Sequence, residues 1–291
     1  MIYKFLFFTL SLLWLTGCSS DSPKDEIKIA TNKWIGYTPL FLANERGELQ
    51  ELNFHLIQNV SLAEAMEVFN IGRADIVTTT QHEYFALKRT NAIKPVILLD
   101  RSDGGDMILS NKPIEELKKA EEIDIYLEID SINAELFKDF SKKYALPQER
   151  LHFHNMDQQQ IQNIINEPDS TIIIVSYSPY NIPLQNKGFH IVASTKDLNT
   201  LLVIDALCAR EKIIQNYPER LKKLKHVIDR AIEDIQKNPA EVHQKIRAYL
   251  GNITYKEFQE SLSMIQWINH PSEEIMQAIK KIGYEEDAII P

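Results

Sequence analysis

Cysteine is nearly missing from this 291-residue chain, which holds only Cys18 and Cys208. Cys18 stands at the end of an apolar leader, so the body beyond it has one thiol and no intramolecular disulfide. Cys208 lies in an apolar stretch and reads as a small core residue, not a nucleophile. There is no Cys-x-x-Cys pair, no glycine-rich phosphate loop, and no serine flanked by the glycines of a nucleophile elbow. His152 and His154 share one strand face at metal-ligand spacing, but no third ligand stands near, so neither a metal nor another cofactor is expected. Positive charge is also short. Lys and Arg number 32 against 41 Asp and Glu, a net of −9. General nucleic-acid binding needs a basic stripe and is excluded as a partner class. The Lys222, Lys223 and Lys225 cluster interleaves apolar positions, as the solvated face of an amphipathic helix does. No apolar run reaches the roughly 20 residues of a membrane-spanning helix.

What is present at the N-terminus points to a compartment. Lys4 is followed by an apolar run over residues 5–15 and then by Leu15-Thr16-Gly17-Cys18. Residues 1–17 therefore read as a signal peptide. Its end resembles a bacterial lipobox, in which cleavage before Cys18 leaves a cysteine that carries lipid. Residues 18–25 form a polar tether with too little apolar surface to fold. Such a chain is anchored to a membrane through Cys18, at the periplasmic or extracytoplasmic face of the cell envelope, and does not span it.

Beyond the tether, strand and helix patterns alternate. Strands are expected at 26–31, 53–57, 74–78 and 93–100. The intervening helices open with Thr38-Pro39, with Ser61 and Glu64, and with Thr80 and Glu83, the last two pairs spaced as capping boxes. This βαβαβαβ block implies a mainly parallel sheet covered by helices. After the break Arg101-Ser102-Asp103-Gly104-Gly105-Asp106, a smaller block repeats the rhythm, with strands at 123–128, 151–154, 171–176 and 189–193. Helices fall at 132–144 and 158–166. One more strand, 201–209, precedes a helical tail whose starts are marked by Pro218, Pro239, Thr254 and Ser272. The pattern suits an α/β chain of two lobes: 26–104 in the first, 105–197 in the second, and 198–291 returning to the first. The crossovers fall near Gly104–Gly105 and Ser194–Asn199.

Ligands of open α/β sheets sit beyond the carboxyl ends of the strands. That rule selects Trp34, Tyr37 and Thr38 after the first strand, where helix amides can receive a polar or anionic group. It also selects Thr79, Thr80 and Gln81 after the third. Trp34 could instead pack its lobe, and Thr80 could serve only as a cap. Asp103, Gly104, Gly105 and Asp106 read either as a hinge facing the cleft or as an acidic surface turn. Ser176 and Tyr177 end a strongly apolar strand and could clamp a ligand by hydrogen bonds and stacking. Asp205, the single charge in an apolar strand, is either a structural acid linking the lobes or a ligand contact.

The run KWIGYTPLFLANERG from Lys33 to Gly47 resembles the opening signature of the nitrate/sulfonate/taurine class of ABC-transporter substrate-binding proteins. The resemblance continues through Gly72-Arg73-Ala74-Asp75-Ile76, the segment from Leu99 to Asp106, and Glu128 with Ser131. It runs on through Tyr177-Ser178-Pro179-Tyr180, Val203-Ile204-Asp205-Ala206-Leu207 and Asn238-Pro239-Ala240-Glu241, over nearly the whole body. It implies a two-lobed type II periplasmic-binding fold, two mainly parallel sheets with a helical C-terminal segment, closing on a small-molecule ligand. It also implies an ABC permease and its ATPase as partners, and no catalysis. In that class, residues matching Trp34, Tyr37, the threonines after the third strand and the Gly-Asp segment line the cleft. Only Lys33 and Arg101 supply positive charge in the expected pocket segments. Sulfonate receptors often use a cationic side chain, whereas an aromatic pocket with Glu83, Asp103 or Asp106 suits the aminopyrimidine precursors of thiamine that other members of the class bind. A sensory or accessory lipoprotein, or an enzyme on the same fold, are the alternatives.

Overall fold

The computed structural model describes residues 26–198 and 201–291. The leader 1–17, the tether 18–25 with Cys18, and the Asn199 end of the second crossover lie outside them. Eleven strands are present among the described residues: β1 (Ile27–Asn32), β2 (Phe54–Asn59), β3 (Ile76–Thr79), β4 (Ile93–Ser102), β5 (Asp106–Ser110), β6 (Ile123–Leu127), β7 (Leu151–Asn155), β8 (Ile172–Tyr177), β9 (His190–Ser194), β10 (Ile204–Arg210) and β11 (Ile265–Trp267). They form two sheets, ordered β11-β4-β10-β3-β1-β2 and β7-β6-β8-β5-β9. Each sheet has apolar clusters beside it, and the largest runs across to Ile132, Tyr177 and Tyr180 of the other lobe.

The sheets are mixed rather than mainly parallel. β1 runs parallel to β2 and β3, and β6 runs parallel to β7 and β8. The pairings of β10 with β3 and β4, of β11 with β4, and of β5 with β8 and β9 are antiparallel. The reason is topological. β5 enters its sheet directly from the first crossover, and β10 returns from the second lobe to lie between β3 and β4. A parallel arrangement needs a helical crossover within one sheet, and these two strands have none.

Local signals in the sequence explain the helices beside the strands. α1 (Thr38–Glu45) has Pro39 in its first turn, where the missing amide costs nothing. In α2 (Leu62–Asn70), Ser61 accepts the Glu64 amide, while the Glu64 carboxylate takes the Val60 amide, one residue outside the expected box. α3 (Gln81–Lys88) has a complete capping box of Thr80 and Glu83. α4 (Ile132–Tyr144) is capped by Ser131, whose hydroxyl accepts the Asn133 amide at 3.1 Å. The tail helices are α5 (Pro218–Lys237), α6 (Pro239–Ile246), α7 (Tyr255–Leu262) and α8 (Glu273–Ile282), interrupted only by the edge strand β11. α5 packs on α1 through Leu221, Leu224, Ile228, Ile232 and neighbouring apolar residues. Lys225 departs from the solvated face expected for it. It is buried, and its Nζ lies 2.9 and 2.8 Å from the two carboxylate oxygens of Asp229.

Candidate functional site

The chain passes from the first sheet to the second between Ser102 and Asp106, and returns between Ser194 and Ile204. The two passages are tied together by short polar side chains. Thr195 Oγ1 accepts the Gly104 amide at 2.8 Å and lies 2.9 Å from Ser102 Oγ, which in turn accepts the Asp106 amide at 3.0 Å. Gly104 has φ 108°, a conformation that β-carbons resist. Gly105 is required for a different reason: a β-carbon there would lie 2.4 Å from Trp34 Cη2.

This junction places the ends of both sheets face to face. Between them lies a cavity of about 10 Å³, lined by Asn32, Trp34, Tyr37, Leu62, Thr80, Asp106, Ile132, Tyr177 and Asp205, space for about one water. The lobes touch around it. Asn32 Nδ2 donates to Tyr177 Oη at 3.0 Å, the Ile35 amide to the Ser178 carbonyl at 3.2 Å, and Tyr180 Oη to the Val60 carbonyl at 2.8 Å. The Ile132 amide, in the first turn of α4, donates to Glu83 Oε1 at 2.8 Å across the same divide. Trp34 and Tyr177 meet edge to face, with ring centroids 5.9 Å apart.

Six of the residues selected from sequence therefore line one space: Trp34, Tyr37, Thr80, Asp106, Tyr177 and Asp205. The others stand behind or beside it. The Thr38 hydroxyl donates to the Ile35 carbonyl. Thr79 turns into the core, 3.2 Å from Cys208 Sγ. Gln81 holds the backbone leading into β10, donating to the Leu202 carbonyl and accepting the Ile204 amide. Ser176 donates to Gln158 Oε1 at 2.7 Å. Asp103 lies on the outer side of the junction with Gln266 and Lys196, and Gly104 and Gly105 contribute backbone. Asn32, Leu62 and Ile132 were not selected, although Asn32 ends β1 and the carboxyl-end rule covers it.

The electrostatics are one-sided. Asp205 and Asp100 face each other directly on antiparallel β10 and β4, an arrangement that is unfavourable if both are charged. Tyr37 Oη donates to Asp205 at 2.5 Å, and Trp34 Nε1 to Asp100 at 3.3 Å. Gly36 permits this, since a β-carbon there would lie 2.0 Å from Asp100 Oδ2. Burial raises both carboxyls well above their ordinary range, and the charge of Asp100 adds to the rise at Asp205. On β5, Asp106 pairs with Tyr177 of β8. Burial, with a smaller push from Glu83, takes Asp106 up to about 7. Glu128 is pushed up to about 8 by burial and by the charges of Glu83 and Asp157, with Gln158 and Ser61 close enough to offset part of the rise. Asn32 Oδ1, Asp100 Oδ2, Asp106 Oδ2 and both Glu128 oxygens have no hydrogen-bond partner among the described residues. An unpaired buried polar atom costs about 1–3 kcal/mol. The nearest cations do not correct the balance. Lys33 lies over the Tyr180 ring, 3.7 Å from its centroid, and burial lowers it to about 8. Arg101 lines a separate depression outside the hinge.

No family model matches the sequence, and no curated protein is detectably similar to it. Solved structures are similar in architecture. A zinc-bound ligand-binding component of an ABC-type import system from Staphylococcus aureus superposes with a TM-score of 0.69 at 12% identity, covering 88% of this chain and 90% of that one. The chain has the two-lobed periplasmic-binding fold. The alkanesulfonate-binding protein of Xanthomonas axonopodis pv. citri, bound to MOPS, gives 0.68 at 12% identity, with 88% and 90% covered. The periplasmic nitrate-binding protein of Synechocystis PCC 6803 gives 0.63 at 11%, with 84% and 72% covered. Identities this low speak for the fold and leave the chemistry of the cleft to its own residues. Two alternative sites are weak on those terms. Cys208 is buried and its thiol pushed up to about 12, so little of it is a nucleophilic thiolate. His154 Nε2 is 2.7 Å from Asp124 Oδ1, and its ring stacks on Tyr126.

Proposed function

We propose that this chain is the substrate-binding lipoprotein of an ABC importer, which captures a small polar solute between its lobes and passes it, unchanged, to a permease and its ATPase. The observation that carries the proposal is the inter-lobe cavity. Strand ends from both sheets meet there beside a two-passage junction, and two of its lining residues, Asn32 and Asp106, carry buried oxygens without partners. The lobes comprise 26–104 with 198–291, and 105–197. Trp34, Tyr37, Thr80, Asp106, Tyr177 and Asp205 are the contacts proposed for the solute, with Asn32 added to them. Among the described residues no helix is long and apolar enough to cross a membrane, and lipid on Cys18 is the proposed anchor at the extracytoplasmic face. The candidate solutes are a sulfonate, nitrate or taurine-like anion, or an aminopyrimidine precursor of thiamine.

A tagged chain extracted from its native membrane is expected to begin at an acylated Cys18 by mass spectrometry and to bring a permease and an ATPase with it. Solute recovered from the protein after incubation is expected to be chemically unaltered. An unprocessed Met1, or conversion of the solute, would count against the corresponding part.

A further inference from the structure

We propose that the solute of this cleft is a small organic cation bearing N–H groups, its charge balanced by Asp106 and its body lying against Trp34 and Tyr177. This deepens the solute-binding role and rests on it; the cavity, with room for about one water, widens to admit the solute when the lobes part.

The argument begins with hydrogen-bond supply. The lining side-chain donors, apart from the Tyr177 hydroxyl, which accepts from Asn32, are committed within the protein. Trp34 Nε1 serves Asp100, Tyr37 Oη serves Asp205, Asn32 Nδ2 serves Tyr177, and Thr80 Oγ1 serves Glu83. What the wall leaves over is acceptors. Asn32 Oδ1 and Asp106 Oδ2 are unpaired, on residues 0% and 4% exposed. Both residues line the cavity. An anion needs donors and would find few. An N–H cation supplies what these acceptors lack.

The helix N-terminus gives the same sign. The first turn of a helix is a natural anion site, and α4 points its Ile132 amide into the junction. That amide is already taken by the carboxylate of Glu83 from the other lobe. A solute anion would have to displace a buried carboxylate of the protein and then remain beside it. Charge settles the balance. Asp106 and Asp205 line the cavity, Glu83 acts on both, and Asp100 acts on Asp205 from the facing strand. Neither Lys33 nor Arg101 reaches the lining. Trp34 and Tyr177, which line the cavity edge to face, supply aromatic surface of the kind that attracts a cation. A weakly basic amino-heterocycle also fits: the carboxyl proton of Asp106 passes to a ring nitrogen, leaving an ion pair with no change in total charge.

The deciding experiment uses the purified protein and a small-molecule extract of its native cells, split into fractions retained on cation-exchange resin, retained on anion-exchange resin, or unretained. Thermal stabilisation by the cation-retained fraction is expected, and its active component, identified by mass spectrometry, should carry N–H groups. Asp106→Asn should weaken that component at least ten-fold, and Asn32→Leu should weaken it as well. The ligand-free melts of both variants establish that they are folded. Stabilisation confined to the anion-retained or unretained fraction overturns the cation assignment while leaving the solute-binding role intact. No stabilisation by any fraction overturns both. Undiminished affinity in folded Asp106→Asn, or an active component without N–H groups, also overturns the assignment.

Discussion

Replacing Glu128 with Gln should stabilise the ligand-free protein, by an amount that depends on pH. Glu128 is 3% exposed, and neither of its oxygens is hydrogen-bonded. Burial, with Glu83 and Asp157 adding, raises it from 4.5 to about 8. In the unfolded chain the group ionises near 4.5, so between these values the folded state holds a proton that the unfolded state has released. Stability is then greatest below pH 4.5 and falls as pH rises toward 8, beyond which this contribution is constant. At about 1.36 kcal/mol per pKa unit, the cost is about 3 kcal/mol at pH 7 and about 5 kcal/mol above pH 8. Gln keeps the size and polarity but cannot ionise. Urea melts followed by tryptophan fluorescence should give matching wild-type and Glu128→Gln stabilities near pH 4.5, and a gap favouring the variant that widens toward pH 8. A gap that is constant with pH, or that narrows as pH rises, would refute the assignment of an unpaired buried carboxyl at this position.

Gly105→Ala must displace the Trp34 ring, whose Cη2 would lie 2.4 Å from the new β-carbon. Overpacking of this kind costs about 1–3 kcal/mol, and the tryptophan emission of the folded variant should shift with it; an unchanged melt and spectrum would show that the ring has room. Lys225→Met leaves the partly buried Asp229 with the Asn269 side chain, 3.2 Å away, in place of the ammonium. Breaking a pair with one buried partner in this way should cost about 1–3 kcal/mol, and a loss below about 0.5 kcal/mol in a urea melt would mean that the pair is effectively solvated. Cys208 should resist iodoacetamide in the native protein and react only when urea unfolds it, in step with the fluorescence transition. Native-state labelling at pH 8 would contradict its burial.

Capping chemistry made the helix starts legible. Pro39, Ser61, Thr80, Thr254 and Ser272 each open a helix, because their side chains or fixed φ satisfy an end that any helix must satisfy. Pairing was less legible. β5 offers only Met107, Ile108 and Leu109 after a Gly-Asp break, and it is a strand because β8 and β9 flank it. β11 is three residues whose strand character comes from lying along β4. The helix expected at 158–166 is regular only over Gln158–Ile161 before the chain turns. Strand direction leaves no trace in hydrophobic period, and the sheets accordingly came out mixed. In the site, strand ends were the right place to look. Side-chain direction was not readable, so Thr79 and Ser176 were selected although they turn inward, and Asn32 was passed over. Asp100, a lone acid ending an apolar run, carried the same signal as Asp205 and belongs to the same pair.

The fold shared with the sulfonate- and nitrate-binding proteins sets where the two sheets meet, not the sign of the charge on any solute proposed to lie there. Backbone supplies the frame: strand ends that converge, a helix N-terminus beside them, and two passages that join the lobes. Each of these favours a polar solute and is indifferent to which one. Sign comes from the side chains that complete the frame, and here they act together. Glu83 occupies the α4 N-terminus from the opposite lobe, so a feature that would draw an anion instead joins the two lobes. Asp106 stands at the first passage between the lobes, opposite Tyr177, and Asp205 stands on the returning strand, opposite Asp100. The junction therefore brings carboxyls from both passages to one cavity. Burial is the main cause of their raised pKa values, and the neighbouring carboxylates add to it. A solute cation would replace the protons that these raised values retain, and its binding would favour the closed form in proportion to the carboxylate charge it neutralises there and nowhere else.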